Sequence, residues 1–310
     1  MVTETIKHCI DKFNDSAFYF NNIQKFPLSR FAFLVSLMSV FKYEKAFYKE
    51  QGAYTRNLSN CVLENLSNSI RNVTLLKKNG HIDCWDINPF DSDKYIIFFS
   101  GIGSEKSNHL LQKAYLKFLE KGWGVIAFDY SGRGKSSGDF CQKIALEDAK
   151  CVYKYLLSKQ IHSYNIGVLG HSLGAGVALD FASKGNLSFL LLLNPFNKAS
   201  DMVKNIAEKL FVPQFVKDTI KNLPDFCLPL KNRFNNERNL RKVEVPTLIL
   251  HNKNDEIIPI RLSRRLYFKN ADKKNITFFE IGGNDHEVSQ DKIDICLHFI
   301  EQTHIWFFNK

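Results

Sequence analysis

The sequence has no stretch of about 20 apolar residues, the length that a membrane-spanning helix needs. The apolar run at residues 31–41 is only half as long, and it follows a segment that contains acidic residues, which argues against a cleaved signal peptide. We expect this run to form a packed helix. A helix that docks on a membrane surface is the alternative, because Lys42, Lys45 and Lys49 follow directly.

The sequence also lacks a CxxC pair, and its 7 cysteines are far apart and odd in number. This pattern excludes a disulfide framework and a zinc site, and it favours free thiols in a reducing compartment. Zinc-finger spacing and RNA-recognition motifs are absent too, so the formal charge of +10 does not indicate specific nucleic-acid binding. A basic balance favours anionic partners such as membrane surfaces or acidic lipids. We predict a cytoplasmic protein, with peripheral contact to an anionic membrane as a further expectation.

What is present is the composition of a globular protein, with 45% hydrophobic and 24% charged residues in 310. An Asn79-Gly80 step between two strand-like runs predicts a leading β-hairpin. Further along, short apolar runs alternate with helical patterns, which is typical of a parallel sheet covered on both faces. The predicted strands are residues 72–78, 82–87, 95–99, 124–128, 166–169, 189–193, 247–250 and 276–281, and helices are predicted at 109–121, 145–159 and 175–184.

These elements predict an α/β fold, with a hairpin followed by a mostly parallel, doubly wound sheet over residues 71–310. Residues 1–70 are predicted to be a helical N-terminal extension packed on the core. The connection between Asn194 and Val245 is longer than a parallel crossover needs. We interpret residues 196–242 as an inserted, basic helical cap, with helices near 200–210 and 212–221.

The strongest chemical motif lies at residues 165–176, NIGVLGHSLGAG. It contains a G-x-S-x-G pattern between an apolar strand and a helix of small residues. A nucleophile on such a sharp turn needs glycines two residues before and after it, here Gly170 and Gly174, to leave room for the turn. The pattern therefore predicts Ser172 as a nucleophile.

A serine nucleophile needs a base, and in this architecture an acid and then a histidine follow on later strand ends. Asp255 lies in the loop after the strand at 247–250, and His286 lies in a glycine-rich loop after the last strand. We predict His286 as the base and Asp255 as the acid that orients it, with Glu256 as the alternative acid. His251 lies on the wrong side of its loop to be the base.

Two backbone N–H groups are expected to stabilise the oxyanion of an acyl-transfer reaction. We predict that Leu173 supplies one and that Ile102, or else Gly101, supplies the other. The Gly-Lys-Ser step at residues 134–136 resembles part of a phosphate-binding loop, but Asp129 stands where that motif requires glycine. The missing glycine therefore argues against an NTPase.

Together these segments resemble the α/β-hydrolase superfamily, and most closely its branch of acylglycerol lipases, lysophospholipases and depalmitoylase-like proteins. The segments that carry the resemblance are FFSGIG at 98–103, DYSGRGKSSG at 129–138, GHSLGAG at 170–176, PTLILHNKNDEIIP at 246–259 and GGNDH at 282–286. The resemblance implies the α/β-hydrolase fold, a Ser172/Asp255/His286 triad, ester or thioester substrates, and neither cofactor nor metal. It also implies that the Asp129 loop is structural.

The predicted function is therefore hydrolysis of carboxylic esters or thioesters through an acyl-enzyme, on a small-molecule or lipid-like acyl substrate. Two alternatives use the same triad, an acyltransferase and a serine aminopeptidase. An alternative of another class is a non-catalytic interaction protein that retains the fold.

Overall fold

The structure is a computed structural model that describes residues 70–209 and 233–308 except Asn79 and Asn284, together with the isolated residues 214, 218 and 222. The predicted N-terminal extension over 1–70 and most of the predicted cap helix at 212–221 lie outside the described residues, so both stay predictions. None of the helices in the described part is long and apolar enough to cross a membrane.

Within the described residues, eight strands form one sheet in the order β1-β2-β4-β3-β5-β6-β7-β8. Strands β1 and β2 are antiparallel to their neighbours, and all other pairs are parallel. The predicted hairpin and parallel sheet are thus confirmed. The strands are β1 Ile70–Lys77, β2 Gly80–Ile87, β3 Tyr95–Phe99, β4 Gly124–Phe128, β5 Ile166–His171, β6 Leu190–Leu193, β7 Thr247–Asn252 and β8 Ile276–Ile281.

Helices cover both faces of this sheet, because alternate residues of each central strand are apolar and point to opposite sides. In β3, for example, Ile97 belongs to one buried cluster and Ile96 to the other. The helices are α1 His109–Glu120, α2 Gln142–Ser158, α3 Leu173–Ala182, α4 Ala199–Lys209, α5 Asn236–Lys242, α6 Ile260–Phe268 and α7 Gln290–Phe308. Side chains of α1 and α7 belong to the Ile96 cluster, and those of α2, α3, α5 and α6 belong to the Ile97 cluster.

The strand order fixes where the functional loops meet. From β3 the chain moves outward to β4 and then returns to β5 on the other side, so the carboxyl ends of β3 and β5 are adjacent. Ligands of open α/β sheets bind at such a switch point. The loops after β3, β7 and β8 and the turn from β5 into α3 leave this same edge of the sheet, and every predicted site residue lies in them or directly beside them.

The two ends of the long connection between β6 and β7 lie next to each other. Lys198 and Asn235 form an isolated antiparallel bridge, and the Asn236 and Glu237 N–H groups donate to the Asn197 carbonyl at 3.0 and 3.3 Å. Helix α4 follows the first of these two segments and agrees with the predicted helix at 200–210. Helix α5 follows the second segment, and its Leu240 is buried in the main core.

Candidate active site

Ser172 lies on the sharp turn between β5 and α3. Its φ of 55° and ψ of −119° place a non-glycine residue in a strained region of backbone space. A Cβ on Gly174 would lie 2.1 Å from the Phe99 carbonyl oxygen, and one on Gly170 would lie 2.7 Å from the Gly174 carbonyl oxygen. Both positions therefore require glycine, because neighbouring backbone atoms lie too close for a Cβ. The turn that these glycines allow places Ser172 at the switch point of the sheet.

Asp255 is buried in the loop after β7 and accepts hydrogen bonds at both carboxylate oxygens. Its Oδ1 accepts the N–H groups of Ile257 and Ile258 at 2.8 and 2.9 Å. Its Oδ2 accepts the side-chain amide of Asn194 and lies 2.7 Å from His286 Nδ1. Burial acts to raise the pKa of Asp255, but the hydrogen bond and charge of His286, the Asn194 amide and the Ile258 N–H outweigh it and lower the pKa to about 2.

The bond to Asp255 decides which nitrogen of His286 carries the proton. An ionised carboxylate only accepts, so Nδ1 must donate, and Nε2 of the neutral ring is left as a proton acceptor. Glu256, the alternative acid, is exposed. His251 is buried, and its ring nitrogens lie 2.6 Å from Ser263 Oγ and 2.8 Å from the Ile258 carbonyl oxygen.

The histidine between Gly170 and Ser172 connects the serine to this pair. His171 Nε2 lies 2.7 Å from the carbonyl oxygen of His286, and the two imidazole rings are 4.9 Å apart between centroids. The structure thus brings Asp255 and His286 into direct contact, and it brings the residue next to Ser172 into contact with His286.

The loop after β3 lies against the same turn. A Cβ on Gly101 would lie 3.3 Å from Ser172 Cβ, so the backbone of this loop passes directly beside the serine. Leu173 begins α3, where the first N–H groups have no partner within a helix. Leu173 and Ile102 stay the predicted oxyanion donors.

The Asp129 loop is held by buried charges beside this site. Asp129 Oδ1 accepts the Lys106 N–H at 2.8 Å, and its Oδ2 accepts Lys106 Nζ at 2.6 Å. The same ammonium pairs with Asp83. A Cβ on Gly134 would lie 2.2 Å from Asp129 Oδ2, so this glycine is required for packing against the carboxylate. The carboxylate connects the loop after β4 with the loop after β3.

Comparison with known proteins agrees with this architecture. A family model described as "Serine aminopeptidase, S33" matches residues 91–235, which contain Ser172 but neither Asp255 nor His286. The chain is 32% identical over 195 residues to Uncharacterized protein R595 of Acanthamoeba polyphaga mimivirus, covering 57% of this chain and 61% of that protein. It is 26% identical over 199 residues to Lysophosphatidylserine lipase ABHD12 of Danio rerio, covering 62% of this chain and 51% of the lipase.

Among solved structures, an alpha-beta hydrolase from Vibrio vulnificus superposes with a TM-score of 0.64 at 22% identity, covering 81% of this chain and 86% of that one. The chain therefore has the α/β-hydrolase fold. The similarity to the family model and to the lipase supports the prediction that the chain is an enzyme of the hydrolase class. The matched part spans only about half to three fifths of the two curated relatives.

Three residues of this chain contact the Asp255–His286 pair or its loop and were not predicted. Asn194 directly follows an apolar strand, and that position could have indicated it. His171 lies inside the recognised motif, but the motif assigns it no role. Lys292 gave no signal, because a lysine in an amphipathic helix indicates an exposed face.

Within the described part of the chain, no group of three or more His, Cys, Asp or Glu residues is arranged to hold a metal ion.

Proposed function

We propose that this chain is a serine hydrolase that cleaves carboxylic ester or thioester bonds through an acyl-enzyme on Ser172. The observation that carries the proposal is the 2.7 Å contact between Asp255 Oδ2 and His286 Nδ1, next to a serine on a strained strand-to-helix turn. An imidazole held in this way, on a loop that contacts the residue next to the serine, is the base that acyl transfer to a serine requires.

In the proposed reaction, Ser172 Oγ attacks the substrate carbonyl while His286 Nε2 takes the hydroxyl proton. Asp255 stays ionised and stabilises the imidazolium that forms. The imidazolium then protonates the leaving alcohol or thiol as the tetrahedral intermediate collapses to the acyl-enzyme. Water attacks this ester with His286 as base, which releases the acid and restores Ser172. The Leu173 and Ile102 N–H groups hold the oxyanion in both steps.

The proposed substrate is a lipid-like acyl compound with an anionic head group. The Danio rerio relative is named as a lysophosphatidylserine lipase, and the net charge of +10 favours an anionic substrate. Both observations favour an anionic acyl lipid, and the name of the relative suggests lysophosphatidylserine as the first substrate to test.

The name of the matching family model favours a second candidate, a serine aminopeptidase. Such an enzyme needs a carboxylate to bind the free amine of its substrate. Asp201 and Glu237, two acids at the base of the insertion, lie 3.6 and 3.0 Å from Arg265, and both accept the Asn197 amide. Because these carboxylates are already paired, they favour the esterase over the aminopeptidase.

The deciding experiment is a substrate panel with Ser172→Ala as the matched variant. It contains p-nitrophenyl esters from acetate to palmitate, an acyl-CoA thioester, lysophosphatidylserine and aminoacyl p-nitroanilides. We expect hydrolysis of esters or thioesters, and a loss of more than about 10³-fold in kcat for the variant. Hydrolysis of the anilides alone would establish the aminopeptidase. Folded protein that cleaves no member of the panel would favour a non-catalytic interaction protein.

The proposed peripheral contact with an anionic membrane is tested separately. Binding to phosphatidylserine vesicles should exceed binding to phosphatidylcholine vesicles, and it should weaken between low and high salt because surface charges are screened. Equal binding to both vesicles would contradict an electrostatic contact. Location in the cytoplasm stays a prediction.

A further inference from the structure

The loop that carries His286 is fixed by buried side chains from two other elements. Three successive carbonyls of this loop, at residues 285–287, each accept a side-chain hydrogen bond. His171 Nε2 lies 2.7 Å from the His286 carbonyl, and Lys292 Nζ donates to the carbonyls of Asp285 and Glu287 on either side. The backbone around the proposed base is therefore held independently of the bond between its ring and Asp255.

His171 touches three parts of the site at once. It ends β5 and directly precedes Ser172, and its ring packs on the ring of His286. A Cβ on Gly101 would lie 3.1 Å from His171 Nδ1, so the other side of the ring faces the loop after β3. The imidazole of His171 thus lies between three segments of the chain and sets their distances. These segments carry the proposed nucleophile, the proposed base and the proposed oxyanion donors.

The protonation state of this ring suits a fixed spacer. Burial, and after it the charge of the nearby His286, lower the pKa of His171 to about 3, because the bond to the His286 carbonyl opposes them only in part. The ring is therefore neutral near pH 7, and its proton is on Nε2, because a carbonyl oxygen can only accept. A neutral ring does not repel His286 when that residue becomes an imidazolium.

Lys292 supports the same loop from α7. Its side chain is fully buried, which lysine rarely is unless its ammonium group is paired. Burial lowers the pKa of Lys292, and the charges of Asp285, Asp255 and Glu287 oppose this shift. By donating to two carbonyls of the loop, this buried ammonium group helps to fix the backbone on either side of His286.

We propose that His171 is a positioning residue, and this proposal rests on the proposed function. The Nε2–H of His171 holds the backbone of His286 in register with Ser172. It takes no proton in the reaction and need not touch the substrate. A side chain that preserves the donor at the Nε2 position should therefore replace it.

Two substitutions separate the hydrogen bond from packing. His171→Gln places an amide N–H near the position of Nε2, whereas His171→Leu keeps an apolar side chain of similar size without a donor. His298→Leu, at an exposed position in α7, is the matched control. Each protein is measured for kcat and KM on the best ester of the panel, and for hydrogen exchange of the backbone amides at residues 285–289.

We expect His171→Leu to lower kcat by about tenfold or more with KM within about twofold, because misplacing a catalytic group costs rate rather than binding. Amide exchange at 285–289 should become faster in the same variant. His171→Gln and His298→Leu should stay close to the unsubstituted protein in both measurements.

The proposal is overturned if amide exchange at residues 285–289 is no faster in His171→Leu than in the unsubstituted protein. It is also overturned if His171→Leu and His171→Gln lose kcat equally. The exchange measurement does not depend on catalysis. An unsubstituted protein that cleaves neither esters nor thioesters would overturn the proposed function, while the exchange rates of the three variants would still decide whether His171 holds the loop.

Discussion

Asp255 and Glu256 are neighbouring carboxylates with different surroundings. Asp255 is buried and contacts His286, Asn194 and two backbone N–H groups, whereas Glu256 is exposed. The orienting role proposed for an acid therefore belongs to Asp255, which contacts the imidazole of His286 directly.

We expect Asp255→Asn to lower kcat for ester hydrolysis by about 10³- to 10⁴-fold. An amide that donates to Nδ1 favours the wrong tautomer of His286, and an amide cannot stabilise the imidazolium as a carboxylate does. Glu256→Gln is the matched control and should keep kcat within about twofold, as surface substitutions usually do. Equal losses in both variants would remove Asp255 from the proposed triad.

The site residues that the sequence predicted are those with local signals. Ser172 lies in a fixed pattern of glycines, and Asp255 and His286 follow apolar strands in a known order. Asn194 and His171 contact the acid and the loop of the base across 61 and 115 positions of the sequence, and His171 and Lys292 act through backbone carbonyls. Their roles depend on which loops the sheet brings together. Such roles follow from strand order, which a single sequence determines only in part.

At the scale of elements, the start of α3 is fitted against the end of β3. A Cβ on Gly174 would lie 2.1 and 2.4 Å from the carbonyl oxygens of Phe99 and Ser100, which are backbone atoms that cannot move aside alone. A Cβ on Gly185 would lie 3.6 Å from the Phe181 carbonyl oxygen, an ordinary contact distance.

Gly174→Ala should therefore separate α3 from β3. We expect a loss of roughly 1–3 kcal/mol or more in the free energy of unfolding, as for overpacked interiors. Activity should fall as well, because the same movement displaces Ser172. Gly185→Ala should change stability by less than about 0.5 kcal/mol. Urea denaturation of both variants checks this, and similar stability of the two would contradict the packing argument.

A buried ion cluster is a second feature at the scale of elements, and it joins β2 to the loops after β3 and β4. Lys106 is 4% exposed and pairs with both Asp83 and Asp129. Burial lowers the pKa of Lys106, but Asp129 and then Asp83 outweigh it, so the net shift is upward. The lysine is therefore charged and compensates two carboxylates.

Lys106→Met should lower the free energy of unfolding by about 3–5 kcal/mol, because it leaves buried carboxylates unpaired. Lys117→Met is the matched control. Lys117 pairs with Asp294 at 2.7 Å, but both side chains are substantially exposed, and its loss should change stability by no more than about 1 kcal/mol. Chemical denaturation that ranks the two variants equally would contradict this assignment.

The elements themselves were largely predictable, and the differences have local causes. Strand β7 continues two residues beyond the predicted 247–250, through His251 and Asn252, because these polar residues pair with β8 and find buried hydrogen-bond partners. Helix α3 begins at Leu173 rather than at 175, because glycine-rich segments carry little helical signal. Apolar runs predicted the sheet well, since central strands are buried on both faces.

At the scale of the whole molecule, the two buried histidines of the site link folding to pH. Burial is the largest cause that lowers the pKa of His171 to about 3 and of His251 to about 4, from an ordinary value of 6.5. The unfolded chain binds protons at these side chains near pH 6.5, whereas the folded chain does not. Unfolding therefore takes up protons in the interval between these values.

The sign of the pH dependence follows from this uptake. Stability is fully present above pH 6.5 and falls as the pH drops towards 4, with a slope of up to about 1.4 kcal/mol per pH unit for each histidine, or about 2.7 for both. The lowered pKa of Asp255 adds a further loss of stability only below its ordinary value of 3.8.

Urea denaturation between pH 7 and 4.5 measures the slope of stability against pH. His171→Gln removes one titrating group and should reduce the slope by roughly half. An unchanged slope in His171→Gln would mean that His171 takes up its proton in the folded protein as readily as in the unfolded chain, and would contradict a neutral, buried ring beside the base.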